Sequence, residues 1–133
     1  MKKIILAILC ITMMLTACSV EKISTEKLRD VEFTVVKEDD IPKEFLTRIN
    51  EKLENPCKLT YADQGMLYIA EGYGRQETSG YSIEVADCYE TSNAIYVRTN
   101  LIGPAKDEEI VETETFPYIV IKMEWIDKHV VFK

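Results

Sequence analysis

From Cys57 to the C-terminus the chain reads as β structure in six segments: Cys57 to Tyr61, Met66 to Ala70, Tyr81 to Ala86, Ala94 to Leu101, Tyr118 to Ile126 and His129 to Phe132. The third, fourth and fifth alternate from one face to the other, and a period of two marks strands with one buried face. In the fourth, Ile95, Val97 and Leu101 oppose Tyr96, Arg98 and Asn100. In the fifth, Ile119, Ile121, Met123 and Trp125 share a face, with Lys122 and Glu124 opposite. Ala62-Asp63-Gln64-Gly65 is turn chemistry between the first two. Val31 to Val36 reads as a further strand ahead of them. Such alternation belongs to half-buried antiparallel strands, whereas parallel βαβ units give unbroken apolar runs.

One segment has a different period. Ile41, Phe45, Ile49 and Leu53 recur every four residues and Leu46 widens the stripe, which predicts an amphipathic helix over residues 41–54. Pro42 suits a first helical turn, and Asp39 or Asp40 can cap it. Asn55-Pro56 ends it, because a residue before proline avoids the α region. The expected fold class is therefore α+β: a mainly antiparallel sheet or small β-sandwich with one helix covering it.

The first twenty residues are of another kind. Met1-Lys2-Lys3 precedes an apolar run from Ile4 to Leu15, broken only by Thr12. That is the pattern of a secretory signal. It is shorter than the roughly 20 apolar residues a membrane span needs. Leu15-Thr16-Ala17-Cys18 then resembles the lipobox of bacterial lipoproteins. The resemblance implies a diacylglycerol on the Cys18 sulfur and cleavage just before it. The expected organisation is a signal peptide at 1–17, a lipidated cysteine and polar tether at 18–29, and one domain at 30–133. The expected location is extracytoplasmic, anchored to the bacterial membrane through the lipid on Cys18.

Cleavage removes Lys2 and Lys3, leaving 14 basic against 23 acidic residues, so the net charge moves from −7 to −9. A surface of that sign repels nucleic acid, which is not expected as a partner. Cys10 leaves with the signal, so Cys57 and Cys88 alone remain in the domain. An extracytoplasmic setting permits a disulfide between them, and two free thiols are equally compatible with the sequence.

No catalytic set, metal site or cofactor is expected. His129 is the single histidine, too few for zinc without carboxylates. A Cys–His nucleophilic pair would need Cys57 or Cys88 to meet His129 in space. Gly72-Tyr73-Gly74 has Glu77 where a dinucleotide loop needs its third glycine, and a strand follows rather than a helix. Asp107, Glu108, Glu109, Glu112 and Glu114 lack the spacing of a calcium loop.

The segment from Glu71 to Tyr81 stands out, with three of the chain's five glycines beside Tyr73, Arg75 and Tyr81. Tyrosine and arginine dominate binding hot spots, and loops carried on rigid sheets are where binding residues sit. The candidate partner-binding residues are Tyr73, Gly74, Arg75, Thr78, Ser79, Gly80 and Tyr81.

Four blocks in order carry a family resemblance: Gly72-Tyr73-Gly74-Arg75, Thr78-Ser79-Gly80-Tyr81-Ser82-Ile83, Leu101-Ile102-Gly103-Pro104, and Phe116-Pro117-Tyr118-Ile119-Val120-Ile121-Lys122. Together they resemble the PrcB C-terminal domain family, from about Val31 to the end. The resemblance implies a non-enzymatic lipoprotein that associates with and stabilises a secreted or surface protease. The family loop usually reads Pro-Thr-Gly-Gly-Tyr, where this chain has Glu77-Thr78-Ser79-Gly80-Tyr81. Thr78-Ser79-Gly80-Tyr81 is also similar to the loop that chagasin-like inhibitors present to cysteine proteases. The leading expectation is a membrane-tethered interaction module for an exported protease or another surface protein. The alternatives are a lipoprotein binding a small ligand or glycan on its aromatics, and an inhibitor-like loop presenter.

Overall fold

A computed structural model describes residues 25–133, and Cys18 with the signal segment lies outside them. Among the described residues, eight strands form two four-stranded sheets, accompanied by one α-helix. The strands are β1 (Arg29–Asp30), β2 (Thr34–Val35), β3 (Pro56–Asp63), β4 (Met66–Tyr73), β5 (Ser82–Glu90), β6 (Ala94–Ile102), β7 (Tyr118–Glu124) and β8 (His129–Phe132). The first sheet runs β1-β5-β6-β8 and the second β2-β7-β4-β3. The molecule is broadly α+β, mostly antiparallel sheet, with the short helix α1 (Lys43–Asn50).

The helix is shorter than residues 41–54, yet it buries the predicted stripe. Phe45 and Ile49 are fully buried, Ile41 is buried just ahead of the helix, and Leu46 and Leu53 pack beside them. The acidic residues expected to cap it instead form a 3-10 turn, Glu38–Asp40. Pro42 takes the cap position and makes no side-chain cap bond, its carbonyl accepting from Leu46 N–H at 2.9 Å. After Asn50 the backbone tightens, with Lys52 N–H bonding the Ile49 carbonyl, and Pro56 then opens β3.

The β3–β4 hairpin closes on Gln64 and Gly65, at φ 48° and 76°. Positive φ at both loop residues matches the twist of the strands on either side. On β4, Leu67 and Ile69 face the first sheet, while Tyr68 and Ala70 face the helix. On β7, Ile121 and Met123 face the first sheet and Val120 faces the helix. The second sheet is thus buried on both sides, and one apolar cluster joins it to Cys88, Ile95 and Val97 of the first. Phe45 holds the helical layer, stacking on Tyr61 at 5.3 Å and touching Tyr68.

The pairing is mainly antiparallel, as expected, with β8 parallel to β6. Two expectations are corrected. Of the predicted strand Val31 to Val36 only Thr34 and Val35 pair, as β2 of the second sheet; β1 lies ahead of those bounds in the first sheet, and Val31 is buried between the two. Trp125 lies beyond the last residue of β7 and is 50% exposed, not on the buried face.

Phe45→Ala should lower stability by about 3–5 kcal/mol, because a large ring leaves a void between helix and sheet. The denaturation midpoint in urea measures it. A loss below about 1 kcal/mol would mean that the helix is not docked as described.

Candidate functional site: the loop end

Strand directions divide the domain into two ends. The proximal end carries the arriving chain at Leu28, the β3–β4 turn, the β5–β6 turn and residues 125–128. The distal end carries residues 74–81, which join β4 to β5, and residues 103–117, which join β6 to β7. An eight-residue strand such as β4 separates them by about 24 Å.

At the distal end the two loops are laced together. Gln76 and Thr115 exchange backbone hydrogen bonds, and Thr115 Oγ1 donates to the Thr78 carbonyl at 2.7 Å. Ser79 N–H bonds the Val111 carbonyl, and Ser79 Oγ accepts from Val111 N–H at 2.8 Å. Arg75 pairs with Glu114 at 2.7 Å, an exposed contact worth little alone. Gly80 has φ 93°, and a Cβ there would come within 2.8 Å of Pro104. Both the backbone angle and the close approach require glycine.

The sequence-predicted residues therefore divide. Arg75 and Gly80 are exposed, while Thr78, Ser79 and Tyr81 are half-buried. Gly74 is buried, at φ 75° against Pro56. Thr78 and Ser79 hold the neighbouring loop, and Gly80 packs on Pro104, so the stretch is no free-standing finger. Tyr73 turns inward: its hydroxyl meets Thr99 Oγ1 at 2.5 Å, and Thr99 donates to Glu71 Oε2 at 3.0 Å. That chain links β4 to β6 across the space between the sheets. Glu71 is only 6% exposed, and burial raises its carboxyl above the usual range, with the Thr99 hydrogen bond and Lys58 opposing.

Sequence reasoning missed the apolar side chains around Gly80. Ile102, Ile110 and Val111 are 43%, 44% and 62% exposed, with Glu108, Glu109 and Glu112 beside them. The signal was Ile110-Val111, two apolar residues inside an acidic run. Glu108 and Glu114 of that run are engaged within the loops, by Ala105 N–H and by Arg75. Among the described residues, no three His, Cys, Asp or Glu side chains converge as metal ligands.

The two thiols are both free, and the disulfide alternative is not realised. Cys57 lies over Gly72 on the helix side of its sheet, whereas Cys88 points into the cluster between the sheets. Burial pushes the Cys88 thiol up to about 11 and raises Cys57 as well, the opposite of an activated nucleophile. His129 is exposed on β8 and faces away from Cys88. The aromatics do not form an open platform. Tyr68, Tyr89 and Tyr96 are buried, and Tyr89 stacks on Tyr96 at 5.3 Å beneath Lys133.

Glu71→Gln should raise stability at neutral pH, and the gain should shrink on acidification. A carboxyl whose folded pKa is raised contributes most below its unfolded pKa and loses that contribution as pH rises through its folded pKa. The neutral amide escapes this loss. Thermal midpoints of both proteins between pH 4 and pH 8 measure the difference, and equal midpoints throughout would contradict it.

A search of curated proteins and of solved structures finds no match to this chain. A family model described as PrcB C-terminal matches residues 67–124, which span β4 to β7 and both distal loops. Residues 67–124 are thus similar to the PrcB C-terminal family, in a match that covers 58 of the chain's 133 residues.

Proposed function

We propose that this chain is a non-enzymatic lipoprotein module. It is anchored outside the cell membrane through Cys18 and associates with an exported protease through its distal end. One observation carries the reading. The two loops of the family-matched segment fasten to each other and present Ile102, Ile110 and Val111 within an acidic rim. Exposed aliphatic side chains held in place lose little entropy on contact, and because each is already about half buried, covering the rest contributes roughly half of the 1.5–3 kcal/mol of full burial. The acidic rim selects a partner surface with basic margins and speeds encounter at low salt. The similarity to the PrcB C-terminal family supports a protease complex as the kind of partner. The raised thiols and the outward His129 favour an accessory role over catalysis. The lipid anchor rests on Leu15-Thr16-Ala17-Cys18, which resembles a lipobox.

The test is capture of exported proteins from the native host by the full chain. The comparison is a variant carrying Ile110→Asp and Val111→Asp. Both side chains are exposed, so stability should change by no more than about 0.5 kcal/mol each. The native chain should retain a protease, and the variant should bind it at least about tenfold more weakly, a difference of about 1.4 kcal/mol. Raising salt should slow association of the native pair. Equal retention by both proteins would remove the distal end from the interface, and retention of no protease would end the protease reading.

A further inference from the structure

The proximal end has its own surface. Leu28 is 61% exposed where its N–H bonds the Glu90 carbonyl at 2.8 Å. Phe33 and Trp125 line a surface groove of about 800 Å³ between the β1–β2 crossing and the end of β7. Trp125 is the chain's single tryptophan and half of it is exposed. An indole has an apolar body and a polar N–H, which suits it to the headgroup layer of a bilayer. This end is mildly acidic: Arg29, Lys122 and Lys128 stand against Asp30, Asp63, Glu32, Glu90, Glu124 and Asp127, with Lys128 paired to Glu90. Such a surface is repelled by anionic lipid and compatible with zwitterionic headgroups.

Covalent geometry supplies the second argument. Leu28 is ten residues from Cys18, so at most about 35 Å of chain separates them. With lipid on Cys18, the proximal end cannot leave the neighbourhood of the membrane, and the distal end can face away. We infer that Trp125, Phe33 and Leu28 seat the proximal end in the headgroup region of a zwitterionic bilayer. The inference rests on the lipoprotein reading above. Lipid supplies the attachment, and the three side chains fix the orientation that keeps the distal loops clear of the surface.

The experiment uses the full chain, produced with its signal in a host that processes lipoproteins and reconstituted in phosphatidylcholine vesicles. Emission from Trp125 needs no label. On reconstitution it should shift to shorter wavelength and be lost when the acyl chains carry bromine. Leu28→Ser combined with Phe33→Ser should restore part of the lost emission. The mass of the mature chain reports separately whether Cys18 carries lipid. Unchanged emission and no effect of bromine would overturn the inference, with or without lipid on Cys18. Quenching in a chain that lacks lipid would support the surface and refute only the anchor. A shift that depends on protein concentration in detergent, without vesicles, would assign the surface to a second copy and overturn the inference.

Discussion

The structure depends on β4 and β7 being apolar on both faces. Leu67, Ile69, Ile121 and Met123 pack against the first sheet while Tyr68, Ala70 and Val120 pack beneath the helix. Each fully buried side chain of this kind contributes about 1.5–3 kcal/mol relative to exposure. The helix has eight residues, too few to persist alone, so its formation depends on the docking of Phe45 and Ile49. The first sheet likewise finds its apolar cover on these two strands. A polar residue on either face would therefore weaken a whole layer as well as its own site.

The same arrangement explains where the loops lie. The chain changes sheet at the proximal end twice, from β1 to β2 and from β7 to β8. Both crossings are short, and Val31 and Ile126 fill the space beneath them. The long connections are left to the distal end, where residues 74–81 and 103–117 need not complete the core. They satisfy their backbone groups on each other through Gln76, Ser79, Val111 and Thr115, which shapes the family-matched surface.

Much of this was legible as alternation. The extent of β6 and β8, the helical stripe and the Gln64-Gly65 turn follow from residue type and period. What escaped depended on contacts distant in sequence. A bulge between Val85 and Asp87 shifts the phase of β5, so Val85 and Cys88 share the inner face while Tyr89 turns outward. No residue type announces that shift. Val31 to Val36 has the composition of one strand, yet only Thr34 and Val35 pair, because residues 31–33 carry the chain from one sheet to the other. Tyr73 resembled a binding residue because tyrosines are common in interfaces, and its buried partner Thr99 lies 26 residues away. Glycine was informative where geometry demanded it: Gly74 and Gly80 mark the turn out of β4 and the contact with Pro104.

The chain from Tyr73 through Thr99 to Glu71 links that core to that surface. A buried carboxyl rarely adds stability over apolar groups of the same volume, since removing its charge from water offsets the hydrogen bonds it gains. Directional bonds, however, constrain what dispersion contacts cannot. With Glu71 ionised, Thr99 must donate to it and Tyr73 must donate to Thr99, so the end of β4 is fixed against β6 at one register. Tyr73 is followed at once by Gly74, where the backbone turns to positive φ and the loop begins. The loop's point of departure is thus set by a polar chain inside the domain. Apolar side chains at the three positions could slide by a fraction of an ångström with little penalty, and residues 74–81 would move with them. The buried carboxyl is best understood as a positional constraint on the distal loops, held at some expense in stability.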